Sequence, residues 1–316
     1  MMLMTAEKTW TPHVSVVIPT RNREQMVAQA VESILTQDFK DYELIVVDDG
    51  STDNTADVLQ RYEGSIRLIR QSNRGVSAAR NAGIAASRGP LIAFLDSDDL
   101  WRPRKLSLQT AFFHAHPNAV VCQTEERWMR NGRQLNPRKY HQKAAGYFFE
   151  RSLERCLVSP SAAMLRRTVL EEIGGFDENL PACEDYDLWL RIGIRYPIHL
   201  INAVLVDKRG GHADQLSAAP GLDRYRIRSL LKLIRSGKLN RTQHHAAKTV
   251  LLRKCRIYAD GCAKRGRLTE AARYRRLMVT GSEEGGGSMQ ARSGDAAFRT
   301  RPEEMSATPG AMEPKN

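Results

Sequence analysis

The chain has 316 residues and a formal net charge of +12, with 41% hydrophobic and 27% charged residues. This length and composition are typical of a globular protein with one α/β-sized core and an appendage. No apolar run approaches the roughly 20 residues of a membrane-spanning helix, and the opening stretch, MMLMTAEKTW, lacks the apolar core of a signal peptide, so we expect a cytoplasmic protein.

Four strand-helix units are predicted in the first hundred residues. The strands are the short, β-branched runs VSVVI (14–18), ELIVV (43–47), IRLI (66–69) and LIAFL (91–95). Stretches with apolar residues at helical spacing lie between them. Runs that are apolar on both faces are typical of parallel strands covered by helices, so the pattern predicts an open, doubly wound α/β sheet.

Polar residues follow each predicted strand, where sheets of this kind bind ligands. Neither G-x-G-x-x-G after the first strand nor a P-loop sequence is present, so a bound phosphate needs another counter-charge. A divalent cation, Mn²⁺ or Mg²⁺, shared by Asp96 and Asp98 would supply it. The alternative is a solvated acidic turn in which Asp99 caps a helix that begins near Pro103.

Five motifs in order resemble the family 2 glycosyltransferases of GT-A fold. They are VSVVIPTRNR, LIVVDDGSTDNT, NRGVSAARNAGIAASRG, LIAFLDSDD and GGFDENLPACEDYDLWLR, and the resemblance covers residues 13 to about 217. It implies a Rossmann-like, mostly parallel sheet with flanking helices. It also implies an inverting, metal-dependent enzyme that moves a sugar from a nucleotide-diphospho-sugar, for which we expect a UDP-sugar, to an acceptor hydroxyl in glycan or cell-envelope polysaccharide synthesis.

The resemblance also implies a donor pocket. Asp49 matches the carboxylate that accepts a hydrogen bond from the base, Pro19 and Thr20 line the same pocket, and Asp48 helps to hold the turn. The alternative for this stretch is a turn that caps the next helix, and both interpretations are compatible. Arg80 would reach the diphosphate or the ribose, unless it is an ordinary surface charge on a helix.

The metal site and the catalytic base follow from the same resemblance. Asp98 matches the principal metal ligand, Asp96 matches an acid that contacts the ribose or the metal, and His212 matches a histidine that closes the metal site. Asp185 in the ED motif matches the general base, and Glu184 beside it has an expected role in orienting the acceptor. The alternative is that these two acids only favour the dipole at a helix start.

The positive charge is concentrated after the resemblance ends. Residues 221–280 contain 17 lysines and arginines and 3 acidic residues, whereas residues 1–220 contain 27 of each. Apolar residues at helical spacing predict two or three amphipathic helices here. They either pack on the main domain or contact an anionic membrane at its inner face. Nucleic acid is not an expected partner, since no recognisable motif accompanies the charge.

These features predict four segments: an N-terminal lead (1–12), a GT-A domain (13–220), a basic helical extension (221–280) and a disordered tail (281–316). We expect a nucleotide-sugar donor and a glycan or lipid-linked acceptor as partners. A regulatory module that binds a nucleotide sugar without turnover is the alternative function, and a hydrolase that transfers the sugar to water is a variant of the first. The presence of both acidic motifs favours the enzyme, because a binding module needs no base.

Overall fold

The computed structural model describes residues 10–136, 139–212, 215–216 and 219–283. The strands are β1 (Val14–Thr20), β2 (Tyr42–Asp49), β3 (Arg67–Gln71), β4 (Leu91–Phe94), β5 (Leu100–Trp101), β6 (Val121–Arg130), β7 (Arg133–Leu135), β8 (Ala163–Arg166) and β9 (His199–Gly210). The helices are α1 (Val27–Leu35), α2 (Thr55–Gln60), α3 (Val76–Ala86), α4 (Lys105–Ala115), α5 (Phe149–Ser152), α6 (Arg167–Ile173), α7 (Glu184–Gly193), α8 (Asp223–Arg235), α9 (Arg241–Lys264) and α10 (Leu268–Glu283).

Within these residues the strands form one sheet in the order β3-β2-β1-β4-β8-β6-β9-β5, with β7 beside β6. The first four strands are parallel, as the sequence predicts. The second half is mixed: β8 runs antiparallel to both β4 and β6, whereas β6 and β9 are parallel. The doubly wound, parallel arrangement therefore describes one half of the sheet, and the other half brings the β9 segment towards the end of β4.

Both faces of the parallel half are covered at β1, β2 and β4, which explains why these three strands are buried and mostly apolar, whereas β3 at the edge is partly exposed. Val16 and Ile18 of β1 belong to one apolar cluster, and Val17 between them belongs to another on the opposite face. Helix α3 packs so closely on β1 that a Cβ added at Gly83 would lie 2.2 Å from Cγ1 of Val17. Glycine at this position therefore sets the distance between the helix and the sheet.

The C-terminal helices α8, α9 and α10 confirm the predicted helical extension. They share an apolar cluster with the main domain, in which Tyr186 and Leu190 of α7 pack with Leu230 and Leu251. Helix α10 continues to Glu283, three residues into the segment predicted as a disordered tail. The rest of that tail, 284–316, lies outside the described residues.

A membrane-spanning helix is not found in the part of the chain that the structure describes. The longest helix there, α9, has 24 residues, but it alternates apolar with charged residues. Its apolar residues lie on one side and pack in the shared cluster, whereas a membrane-spanning helix is apolar on all sides.

Candidate active site

The predicted site residues meet at the carboxyl ends of β1, β2 and β4. Thr20 ends β1 and is paired in register with Asp48 of β2, while Asp96 follows β4 on the other side of β1. Pro19, also buried, pairs with Val47. Because these strands are parallel, their ends share one edge of the sheet, and residues from three separate motifs converge there.

The D-x-D acids form a cluster that His212 completes. Carboxylate oxygens of Asp96, Asp98 and Asp99 all lie within 4.8 Å of one another. His212 Nε2 lies 2.8 Å from Oδ2 of Asp98, although 114 positions separate the two residues. The side chains of Asp98 and His212 are 20% and 14% exposed, so this edge of the cluster is reachable from solvent. Carboxylate and imidazole groups at such spacing are a donor set that fits a divalent cation.

Asp99 does not cap a helix, so that alternative interpretation is wrong. Helix α4 begins at Lys105, and its N-terminus has no side-chain cap. Asp99 is buried instead, and it accepts hydrogen bonds from Ser161 Oγ at 2.7 Å and from the backbone N–H of Arg209 at 2.9 Å. Burial and the neighbouring charge of Asp98 raise the pKa of Asp99 well above its ordinary value. It ties the acidic turn to the segment just before β8 and to β9.

Arg80 is not a surface charge, because its side chain is only 3% exposed. One guanidinium nitrogen donates to Asp96 Oδ1 at 2.6 Å, and the other donates to Glu184 Oε1 at 2.5 Å. The pKa of Arg80 is raised, since the two carboxylates outweigh the opposing effect of burial. Arg80 therefore links the D-x-D motif to the ED motif and offsets part of the negative charge at the end of β4.

The two acids of the DDG turn have different surroundings. Asp49 accepts hydrogen bonds from Gln71 Nε2 at 2.7 Å and from the backbone N–H groups of Arg74 and Gly75 at 2.9 and 2.8 Å. Asp48 accepts one hydrogen bond at Oδ1, from the backbone N–H of Ser51. Its other oxygen is buried and accepts no hydrogen bond.

The residue paired with Asp48 across the sheet also has a buried polar atom without a hydrogen bond. Thr20 Oγ1 is buried and makes no hydrogen bond, and Thr20 is the register partner of Asp48. The guanidinium of Arg70 lies 3.6 Å from Asp48 Oδ2, too far for a hydrogen bond. Buried polar atoms without a hydrogen-bond partner are uncommon, and they mark positions where a ligand can supply the missing partner.

The ED motif begins α7, and its two acids differ in exposure. Glu184 is buried and bound to Arg80; burial raises its pKa, and the charge of Arg80 opposes that effect. Asp185 is half-buried and accepts a hydrogen bond from the backbone N–H of Tyr186 at 2.7 Å. The residue before α7, Cys183, has a left-handed backbone with φ of 61°, so the helix begins directly after a left-handed residue.

Lys208 of β9 is a functional candidate that the sequence reasoning missed. Its amine is close to Ser159 Oγ, at 3.4 Å. Burial disfavours the charged amine, but the charges of Glu126, Asp99, Asp96 and Asp185 outweigh it and raise the pKa of Lys208. The positive charge of Lys208 therefore interacts with acids of both the D-x-D motif and the ED motif. The feature of the sequence that could have indicated Lys208 is its position, a lysine in a strand four residues before His212.

The chain is similar to proteins of a known family. The model of the family "Glycosyl transferase family 2" matches residues 15–174. A putative colanic acid biosynthesis glycosyl transferase, WcaA of Escherichia coli, is 31% identical over 198 residues, which are 58% of this chain and 67% of that protein. A putative teichuronic acid biosynthesis glycosyltransferase, TuaG of Bacillus subtilis, is 30% identical over 188 residues, 58% of this chain and 73% of that protein.

Longer relatives also match. An uncharacterized glycosyltransferase of Rickettsia bellii is 30% identical over 218 residues, which are 66% of this chain but only 31% of the relative. The chain thus spans about a third of the length of this relative.

Two solved structures show that the fold is GT-A-like. Residues 1–349 of S. aureus TarS in complex with UDP-GlcNAc superpose with a TM-score of 0.63 at 22% identity, over 77% of this chain and 71% of that one. The mannosyltransferase PcManGT from Pyrobaculum calidifontis, in complex with GDP-Man and Mn²⁺, gives a TM-score of 0.54 at 21% identity, over 87% of this chain and 85% of that one.

Proposed function

The chain belongs to glycosyl transferase family 2, and we propose that it is an inverting, metal-dependent enzyme that moves a sugar from a UDP-sugar to an acceptor hydroxyl. The observation that carries this proposal is the meeting of Asp96, Asp98 and His212 at the end of β4, beside the ED motif. Two relatives named for the biosynthesis of colanic and teichuronic acids support a glycan or lipid-linked acceptor in cell-envelope polysaccharide synthesis.

We place the donor base against Thr20 and Asp48 rather than against Asp49. The unused oxygens of Thr20 and Asp48 can each form a hydrogen bond with a nucleotide, and an uracil ring offers a matching N–H. Asp49 has three donors already and holds the turn in place. This exchanges the roles that the resemblance implies for the two acids, while Pro19 keeps its position in the pocket wall.

The diphosphate would lie at the cluster of Asp96, Asp98 and His212. These residues would hold Mn²⁺ or Mg²⁺, which supplies the counter-charge for the leaving nucleoside diphosphate. Asp98 is the principal ligand in this proposal, because Asp96 also accepts a hydrogen bond from Arg80. Arg80 acts by positioning Asp96 and Glu184, since both of its terminal nitrogens are committed to these carboxylates.

Asp185 is the proposed general base. Displacement of the nucleoside diphosphate in one step inverts the anomeric centre, so a base must take the proton of the acceptor hydroxyl on the opposite face. Asp185 is the more accessible of the two ED acids. Glu184 is buried and bound to Arg80, so we assign it to holding this arrangement rather than to orienting the acceptor.

We also propose that the extension contacts an anionic membrane through one exposed face, here called the basic helical surface. It includes Arg256, Ile257 and Lys264 of α9, with the exposed Asp260 between the two cations, and Leu268 of α10; Ile257 and Leu268 are 58% and 68% exposed. The opposite side of α9 packs on the main domain. Exposed cations beside exposed aliphatic side chains fit an acidic lipid surface.

The donor and metal proposals are tested together by calorimetry with UDP. We expect UDP to bind in the presence of Mn²⁺ and to bind much more weakly in EDTA. Asp98→Ala should weaken binding more than Asp96→Ala, because the loss of the principal ligand leaves the diphosphate charge uncompensated. Equal UDP affinity with Mn²⁺ and with EDTA would contradict the metal assignment, and a panel of other nucleotide sugars would then test the class of donor by thermal stabilisation.

A further inference from the structure

A group of aromatic rings lies near the end of β6 and in the segment that follows β7, and it has no role in the proposed donor site. Trp128, near the end of β6, and His141 have ring centroids 4.9 Å apart, and Tyr140 stands edge-on to His141 at 4.4 Å. The guanidinium carbon of Arg155 lies 4.0 Å from the centre of the Tyr140 ring. Tyr140 is 44% exposed. The group is therefore an aromatic surface that solvent reaches.

Strand register places this surface next to Lys208. Trp128 of β6 and Lys208 of β9 are register partners, so their side chains share one face of the sheet. Trp128 Nε1 also donates to Oε2 of Glu126, two positions earlier on the same face, at 3.2 Å. Lys208 interacts electrostatically with Asp185. Arg209, the next residue of β9, donates through its backbone N–H to Asp99 Oδ1 at 2.9 Å, so the strand pair that carries the indole ring reaches the acidic cluster.

The segment that contains Arg155 also adjoins the proposed base. The guanidinium of Arg155 lies over the ring of Tyr140, and the thiol of the next residue, Cys156, interacts electrostatically with Asp185. The Cys156 thiol also contacts the backbone carbonyl of Val158 at 3.1 Å. Two residues that adjoin the aromatic surface, Lys208 of β9 and Cys156 next to Arg155, therefore interact electrostatically with Asp185. The proposed cation site is formed by other residues, namely the acids that follow β4 and His212.

We propose that Trp128, Tyr140 and Arg155 form a platform that binds the acceptor, and that the acceptor is a saccharide. A pyranose ring has apolar C–H faces, which pack on aromatic rings, and hydroxyl groups at its edge, which bind the phenol and the guanidinium. The inference rests on the proposed transferase function, because the platform has a use only if Asp185 activates a hydroxyl bound there. The donor lies against Thr20, Asp48 and the metal cluster, so donor and acceptor occupy separate parts of the site.

The test uses the full chain and four methyl glycosides as probes, those of glucose, galactose, mannose and N-acetylglucosamine. Their binding is measured by saturation-transfer NMR with and without UDP and Mn²⁺, and UDP affinity is measured separately by calorimetry. Trp128→Ala and Tyr140→Ala should weaken the binding of the glycoside that wild type prefers by about tenfold, with UDP affinity unchanged. Tyr147→Ala is the matched control, since Tyr147 is 73% exposed and belongs to no described ring contact.

The readouts separate a platform from a packing role and from failure of the donor proposal. Trp128→Phe should restore part of the glycoside affinity, because a smaller ring still provides a stacking face. The proposal is overturned if wild type binds none of the glycosides, or if Trp128→Ala and Tyr140→Ala bind them as wild type does. Absence of UDP binding with intact glycoside binding would count against the proposed donor alone. A simultaneous loss of UDP and glycoside affinity in Trp128→Ala and Tyr140→Ala would assign these rings to structure and also overturn the platform.

Discussion

Asp48 and Asp49 are adjacent in the chain, yet only one of them has its hydrogen-bonding capacity taken up by the protein. Asp49 accepts three hydrogen bonds, from Gln71 and from the backbone at Arg74 and Gly75. Asp48 keeps one buried oxygen without a hydrogen bond. Asp49 thus joins β2 to the start of α3, and Asp48 has an acceptor atom to offer a ligand.

This difference predicts opposite effects for two matched substitutions that each remove one charge. Asp48→Asn should weaken UDP binding by about tenfold or more, because a hydrogen bond to a charged group contributes about 1.5–3 kcal/mol. Asp49→Asn should instead lower the free energy of unfolding, by about 1–3 kcal/mol, as its buried donors lose a charged acceptor. Calorimetry with UDP and Mn²⁺ and urea denaturation give the two measurements. A larger loss of UDP affinity in Asp49→Asn would restore the base contact to Asp49.

The parallel half of the fold is predictable from sequence because its determinants are local. Strands such as Val14–Thr20 are apolar runs ended by polar residues, and their helices have apolar positions at regular spacing. The acidic turn after β4 follows directly from this reading, since parallel strands bring their ends to one edge. The mixed half is less regular: β9 combines buried and half-exposed positions without strict alternation.

The partners of the site acids are not local, and this limits what the sequence predicts. Arg80 and Glu184 are 104 positions apart, and only the fold shows that a helical arginine is buried between two carboxylates. Lys208 matches no motif, because its role depends on acids from β4, β6 and α7. The unused oxygen of Asp48 is likewise a property of the folded turn, because the sequence DDG alone does not distinguish Asp48 from Asp49.

Asp185→Asn should abolish most sugar transfer and leave UDP binding nearly unchanged. Asparagine keeps the size of aspartate but cannot take the acceptor's proton, and general-base catalysis typically contributes about 10²–10⁴-fold. The loss should therefore appear in kcat, measured with any active donor and acceptor pair. Asp187→Asn is the control on the same helix, since Asp187 is buried and paired with Arg191; it should lower stability before it lowers turnover.

Glu184→Gln distinguishes the two acids of the motif. Because it leaves Arg80 with one charged partner fewer in a buried site, we expect a lower free energy of unfolding, by about 3 kcal/mol or more. Wild-type turnover in Asp185→Asn together with full loss in Glu184→Gln would contradict the base assignment and transfer that role to Glu184.

Charge reversal on the basic helical surface should reduce binding to acidic vesicles. We expect the full chain to sediment with phosphatidylglycerol-containing vesicles and much less with phosphatidylcholine alone, and to be released as salt shortens the screening length to about 8 Å. Arg256→Glu with Lys264→Glu should reduce this binding. Lys40→Glu with Arg61→Glu is the control, since it makes the same charge change at exposed positions of the main domain. An equal loss of vesicle binding in both double variants would show that binding depends on net charge and not on the basic helical surface.

A buried lysine should make the free energy of unfolding rise as the pH is raised above neutral. Lys105 is fully buried in α4, where its amine donates to Gln109 Oε1 at 2.6 Å and lies 3.9 Å from the centre of the Trp101 ring. Burial lowers the pKa of Lys105 to about 7. In the unfolded chain the pKa returns to about 10.4.

Between about pH 7 and pH 10 the unfolded chain therefore binds more protons than the folded one, and the free energy of unfolding should rise with pH. The contribution of Lys105 to this slope approaches about 1.4 kcal/mol per pH unit, because one pKa unit corresponds to that energy. Below about pH 7 both states hold the proton and the contribution becomes constant. Lys105→Met removes the titrating group, so its slope over this range, measured by urea denaturation, should be smaller than that of wild type by this amount. Lys40→Met, at an exposed position, should keep the wild-type slope; an unchanged slope in Lys105→Met would show that the buried amine does not titrate in this range.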